Sequence, residues 1–170
     1  LGRFYLFRGE KRKAEEEFQK ALEKGKSSPS VLLEIGKLFI STGDLARGEK
    51  FLRQAAEKHT SVTNYYLLGQ CLYREGKLKE AEETLQKALE LDPSNPYVLN
   101  DLGYIWLEQD KNLEEAVAML ERAAKKAHSP EILDSLGWAY VKTGRVKEGL
   151  ELLKKAVEGN PYSWELRYHL

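Results

Sequence analysis

Three histidines, one cysteine and several short runs of glutamate are the side chains of this 170-residue chain best suited to catalyse a reaction or hold a metal. Catalysis needs titratable groups that converge within hydrogen-bonding reach of a substrate. His59 follows Lys58, and His128 lies just after Lys125-Lys126, each where a helical stretch gives out. Cations there complement the negative end of the helix dipole, so both read as helix endings rather than ligands. The third is His169. Cys71 sits mid-helix beside an apolar stripe and reads as a small buried residue rather than a nucleophile. Standing alone, it excludes an internal disulfide and a cysteine-based metal set, and it assigns no compartment. Glu15-Glu16-Glu17, Glu82-Glu83 and Glu114-Glu115 open helices, where negative charge matches the dipole. No glycine run has the form of a phosphate cradle. The expectation is therefore no catalytic residue, no metal site and no cofactor: not an enzyme.

Bulk composition narrows the partner class. Lys plus Arg and Asp plus Glu number 27 each, for a formal net charge of zero. Phosphate neutralisation supplies most of the affinity of a nucleic-acid binder, which therefore shows a basic excess. None exists here, so no nucleic acid is expected. Nor does any run approach the ~18 apolar residues of a membrane span, so no membrane insertion is expected of this stretch. With 32% charged residues and only five prolines, the composition is that of an ordered helical protein.

The elements emerge from internal self-similarity. Leu/Ile-Gly recurs as Leu1-Gly2, Ile35-Gly36, Leu68-Gly69, Leu102-Gly103 and Leu136-Gly137, with the glycines 34, 33, 34 and 34 residues apart. Three residues after each glycine stands a large side chain: Tyr5, Phe39, Leu72, Trp106, Tyr140. Seven after each stands a turn residue: Gly9, Gly43, Gly76, Asp110, Gly144. A second helix then carries small, large, small at i, i+4 and i+7, as in Ala81-Leu85-Ala88 and Ala116-Leu120-Ala123. These positions share one helical face, so each unit makes two amphipathic helices. Small residues let the pair approach closely, and proline in Asp92-Pro93 and Asn160-Pro161 ends the second helix. The fourth unit holds one extra residue within Glu108-Gln109-Asp110-Lys111-Asn112, and Asn112 with Glu115 reads as the cap that restarts the helix. Repeats fall at 29–61, 62–95, 96–129 and 130–163, after a partial repeat at 1–28 and before the start of another at 164–170. Leu1 and Leu170 both precede the recurring glycine position, mid-helix, so a single array within a longer one is expected.

Across the whole chain these motifs resemble the tetratricopeptide repeat. The resemblance implies an all-α fold: a right-handed superhelical solenoid of helix-turn-helix repeats whose first helices line a concave groove. Departures are mild: Gly48 and Gly149 stand where alanine is usual, and Lys11 replaces an apolar residue. Pentatricopeptide arrays stack hairpins at a similar period and bind RNA, but Glu108, Glu131 and Asp134 on the inner face oppose a phosphate-lined groove. Tetratricopeptide domains that hold chaperone tails use Lys and Asn, then Asn, then Lys and Arg. The matching face here offers Tyr66 and Gln70, then Asn100 or Asp101, then Glu131 and Ser135. Only the asparagine fits, so a chaperone tail is not expected. Leu99-Asn100-Asp101-Leu102-Gly103-Tyr104 and Ile132-Leu133-Asp134-Ser135-Leu136-Gly137-Trp138 also look like repeats of Gram-negative envelope proteins, some of which are lipoprotein adaptors.

Each first helix carries a second stripe beside its packed leucines. The stripes read Ser30, Leu33, Lys37, Ile40; then Thr63, Tyr66, Gln70, Tyr73 with Arg74; then Tyr97, Asn100, Tyr104, Leu107 with Glu108; then Glu131, Asp134, Trp138, Val141 with Lys142. Hairpin packing alone does not demand aromatics there, and partly exposed Tyr and Trp are over-represented at binding hot spots. Tyr66, Gln70, Tyr73, Arg74, Asn100, Tyr104, Asp134 and Trp138 are thus the expected peptide-groove residues, unless the rings only pack against neighbouring first helices. The expected function is a non-catalytic scaffold or adaptor that binds a peptide or protein segment. The alternatives are a structural spacer, an array that self-associates through its open ends, or a regulatory region attached to an enzyme beyond this stretch.

Overall fold

The computed structural model describes residues 2–24, 28–163 and 169, and among them there is no strand. The chain divides into two compact units, residues 1–91 and 92–170. The first unit holds α1 (Gly2–Phe7), α2 (Lys11–Glu23), α3 (Pro29–Thr42), α4 (Leu45–Lys58), α5 (Val62–Arg74) and α6 (Leu78–Leu91). The second holds α7 (Pro96–Glu108), α8 (Leu113–Lys126), α9 (Pro130–Lys142) and α10 (Val146–Gly159). Consecutive helices pair as hairpins, and within each unit the second helix of one hairpin packs on the first helix of the next.

Local sequence accounts for where the helices begin. Ser28, Ser61, Asn95 and Ser129 cap α3, α5, α7 and α9, each side-chain oxygen accepting a hydrogen bond from a backbone N–H of the first turn. Pro29, Pro96 and Pro130 follow directly, where the missing N–H costs nothing and the fixed φ suits a helix.

The reversal inside each hairpin is one device repeated five times. The N–H of Glu10, Asp44, Lys77, Lys111 or Arg145 donates to the carbonyl of Tyr5, Phe39, Leu72, Trp106 or Tyr140, at 2.7–2.9 Å. The residue before each donor is left-handed. Four times it is glycine, which bears this without strain; the fourth hairpin uses Asp110, at φ 51°. The cap expected at Asn112 is not formed. The extra residue must fit between the Asp110 turn and α8, and this drives Asn112 to φ 47°, ψ 47°. A capping side chain needs an extended backbone to reach back to the N3 amide, and from the left-handed region Asn112 makes no such bond.

Close approach within a hairpin explains Gly149 in place of alanine. A Cβ built there would lie 2.6 Å from the Gly137 carbonyl oxygen and 2.7 Å from a Val141 methyl. The two backbones meet where neither can carry a side chain. Leu32, Ile35, Leu52, Leu72 and Leu85 are fully buried in the first unit, and Leu99, Leu102, Ile105, Leu107, Leu120, Ile132 and Leu153 in the second. Among the described residues no helix is long and apolar enough to cross a membrane.

Candidate functional site

His59 and His128 are exposed near helix ends, and the described residues include no group of three or more His, Cys, Asp or Glu placed to hold a metal. Cys71 is fully buried, its Sγ 3.5 Å from the Leu45 carbonyl oxygen. Burial first, then the nearby Glu75 and Glu49, push its thiol up to about 11, so almost no thiolate exists at neutral pH.

The expected groove residues fall into two groups, one in each unit. On α5 of the first unit, Tyr66, Gln70 and Tyr73 are half-buried and Arg74 is exposed in the last turn. Gln70 Nε2 donates to the Tyr66 hydroxyl at 2.7 Å, one helical turn away, so each holds the other's orientation.

In the second unit α7 and α9 run side by side, and 34 residues carry Asn100 onto Asp134 and Tyr104 onto Trp138. Tyr104 and Trp138 are half-buried, while Asn100 and Asp134 are only 9% and 6% exposed. Asn100 Nδ2 donates to Asp101 Oδ1 at 3.2 Å, and Asp134 Oδ2 lies 2.6 Å from His169 Nδ1. The second oxygen of each, Asn100 Oδ1 and Asp134 Oδ1, is buried with no hydrogen-bond partner. The His169 ring stacks on the Trp138 indole at 5.0 Å between centroids and 12° between planes, with Tyr104 tilted against it at 6.3 Å. Trp138 also packs on the cluster of Leu107, Leu120, Leu136, Ala139 and Tyr140. The structure thus brings Tyr104, Trp138 and Asp134 around one ring.

That ring is the residue that sequence reasoning missed. His169 lies 35 residues after Asp134, one beyond the repeat, in the start of the next unit, and extending the stripe by one more repeat would have reached its neighbourhood. One stripe residue is corrected. Leu107 is fully buried, because α9 closes over the end of α7 and places Leu136, Ala139 and Tyr140 against it. Its carbonyl accepts from Lys142 Nζ at 2.6 Å, and the same ammonium pairs with Asp110 at 2.6 Å.

Residues 1–170 match a tetratricopeptide family model described as the cilia and flagella-associated protein 70 C-terminal domain. The chain belongs to this tetratricopeptide-repeat family. A curated tetratricopeptide relative, TPR repeat-containing protein MJ1428 of Methanocaldococcus jannaschii, is 29% identical over 140 residues, which cover 82% of this chain and 24% of that protein. The chain therefore spans about a quarter of that relative's length. Among solved structures, MamA superposes with a TM-score of 0.79 at 22% identity, covering 95% of each chain. YrrB, described as a tetratricopeptide protein with an unusual peptide-binding site, superposes with a TM-score of 0.73 at 20% identity, covering 99% of this chain and 87% of that one. The fold is the all-α tetratricopeptide solenoid, a fold typical of protein-interaction scaffolds.

Proposed function

We propose that this chain is a non-catalytic scaffold or adaptor that holds an extended or helical segment of another protein against the inner faces of its first helices. The observation that carries the reading is the cluster on α7 and α9. Two half-buried aromatic rings, Tyr104 and Trp138, stand one turn from two buried polar groups, each with an acceptor atom left unpaired. Aromatic anchors with interspersed polar groups suit peptide recognition. The likeness to a tetratricopeptide structure described as having a peptide-binding site supports the reading. Zero net charge favours binding by burial over long-range attraction, so added salt weakens it only modestly. The test is to isolate a binding protein from the source organism and titrate it against the chain. Tyr104→Ala and Trp138→Ala should each cost roughly 1–4 kcal/mol of binding while circular dichroism stays helical. Normal binding by both folded variants would make the rings scaffold only.

A further inference from the structure

We propose that Trp138 and Asp134 form a recognition subsite for an arginine side chain of the bound segment, and that His169 is its occupant in the free chain. The proposal rests on the groove reading above and names the chemistry of one contact within it.

His169 engages only one oxygen of the Asp134 carboxylate. Its imidazole is a flat nitrogen-bearing ring laid on the Trp138 indole, with one nitrogen on Asp134 Oδ2. A carboxylate presents two oxygens, and Oδ1 remains buried without a partner. A guanidinium is flat as well and stacks on an aromatic face as an imidazole does. Unlike an imidazole, it offers two parallel N–H groups whose spacing matches both oxygens of one carboxylate. The seat is already shaped for a planar donor, and arginine completes the hydrogen bonding that histidine half fills.

Charge points the same way. The two inner helices of this unit carry Asp101 and Glu108 on α7, and Glu131 and Asp134 on α9. Lys142, the base on these two helices, is engaged by Asp110 and by the Leu107 carbonyl. Asn100 Oδ1, a second buried and unpartnered acceptor on α7, also calls for a donor. An acidic or purely apolar segment would leave Asp134 Oδ1 and Asn100 Oδ1 unsatisfied. Lysine would bring the charge but neither the plane nor the paired N–H groups.

The test selects peptides from a random phage-displayed library of about 12 residues on the full chain, then measures affinity by fluorescence polarisation. Selected sequences should share an arginine. Replacing that arginine with citrulline, which keeps the shape and loses the charge, should weaken binding about tenfold or more, the scale of a charge-assisted hydrogen bond. Lysine should fall between the two. Asp134→Asn should abolish the preference for arginine over citrulline. His169→Ala should tighten arginine peptides by about threefold or more, since the competing occupant is gone. The citrulline comparison uses the unaltered protein and stands even if a variant misfolds. Binders without arginine, or with citrulline equally tight, would overturn the subsite; Tyr104→Ala weakening those same binders would show that the groove reading survives. No binder from either the wild-type chain or His169→Ala would overturn both.

Discussion

Leu102 and Leu136 hold the same place in successive hairpins, one residue before the recurring glycine, and both are at most 5% exposed. Deleting a buried leucine removes its transfer free energy and leaves a cavity, so Leu102→Ala and Leu136→Ala should each lower stability by roughly 2–5 kcal/mol. Glu114→Ala, on an exposed first turn, should stay within about 0.5 kcal/mol. Urea melts decide it: similar losses at both kinds of site would mean the core register is wrong. The leucines and Cys71 were legible because a single helical period separates buried from exposed positions. Tyr104 and Trp138 were legible as a pair for the same reason. Asn100 and Asp134 were legible as neighbours of the rings but not as buried groups, because their burial depends on what lies across from them. His169 was legible only as the neighbourhood that one more repeat of the stripe reaches. Its role comes from a contact between side chains 35 residues apart, and no local pattern marks it.

At the scale of the element, helix existence and pairing were readable because several local signals agree. The recurring glycine, the small-large-small register and the turn residue mark the hairpins, and the Ser and Asn caps and first-position prolines of the structure fall at the same boundaries. The fourth hairpin shows where such agreement stops. Asp110 in the glycine position keeps the turn's hydrogen bond, Lys111 N–H to Trp106 carbonyl at 2.9 Å, so the reversal survives the substitution. The inserted residue is then absorbed by backbone rather than side chain. Asn112 reads as a cap because its type and spacing fit one, yet its left-handed backbone decides otherwise. Residue type proposes a cap, but backbone conformation determines whether the side chain can reach. The same logic explains Leu107. Its stripe position implies exposure, whereas packing of α9 over α7 buries it.

At the scale of the whole molecule, polar ties join successive hairpins within each unit, and acid should loosen both. In the first unit Glu49 on α4 accepts from Lys77 Nζ, in the turn between α5 and α6, and from Arg53, each at 2.6 Å. In the second unit Glu121 on α8 accepts from the Tyr140 hydroxyl at 2.7 Å and from Arg145, in the turn between α9 and α10, at 3.1 Å. Burial works to raise the Glu49 carboxyl, but the hydrogen bonds from Lys77 and Arg53 outweigh it and hold the group below its ordinary value of 4.5. For Glu121 the Tyr140 hydrogen bond is the leading cause of a shift in the same direction, opposed by burial and aided by Arg145. A carboxyl whose folded value is depressed leaves the unfolded chain binding more protons as the solution is acidified, so folding loses free energy as pH falls. The stabilisation is complete above the ordinary carboxylate value of 4.5 and drains as pH drops through the lower folded values. Denaturant midpoints should therefore be flat from neutral pH down to about 5.5 and fall below that. Glu121→Gln keeps the shape and an acceptor oxygen but cannot titrate, so its midpoint should start lower at neutral pH and fall less on acidification. If Glu121→Gln and the wild-type chain lose the same increment between neutral and acid pH, the tie at Glu121 contributes nothing to acid sensitivity, and other carboxylates account for it.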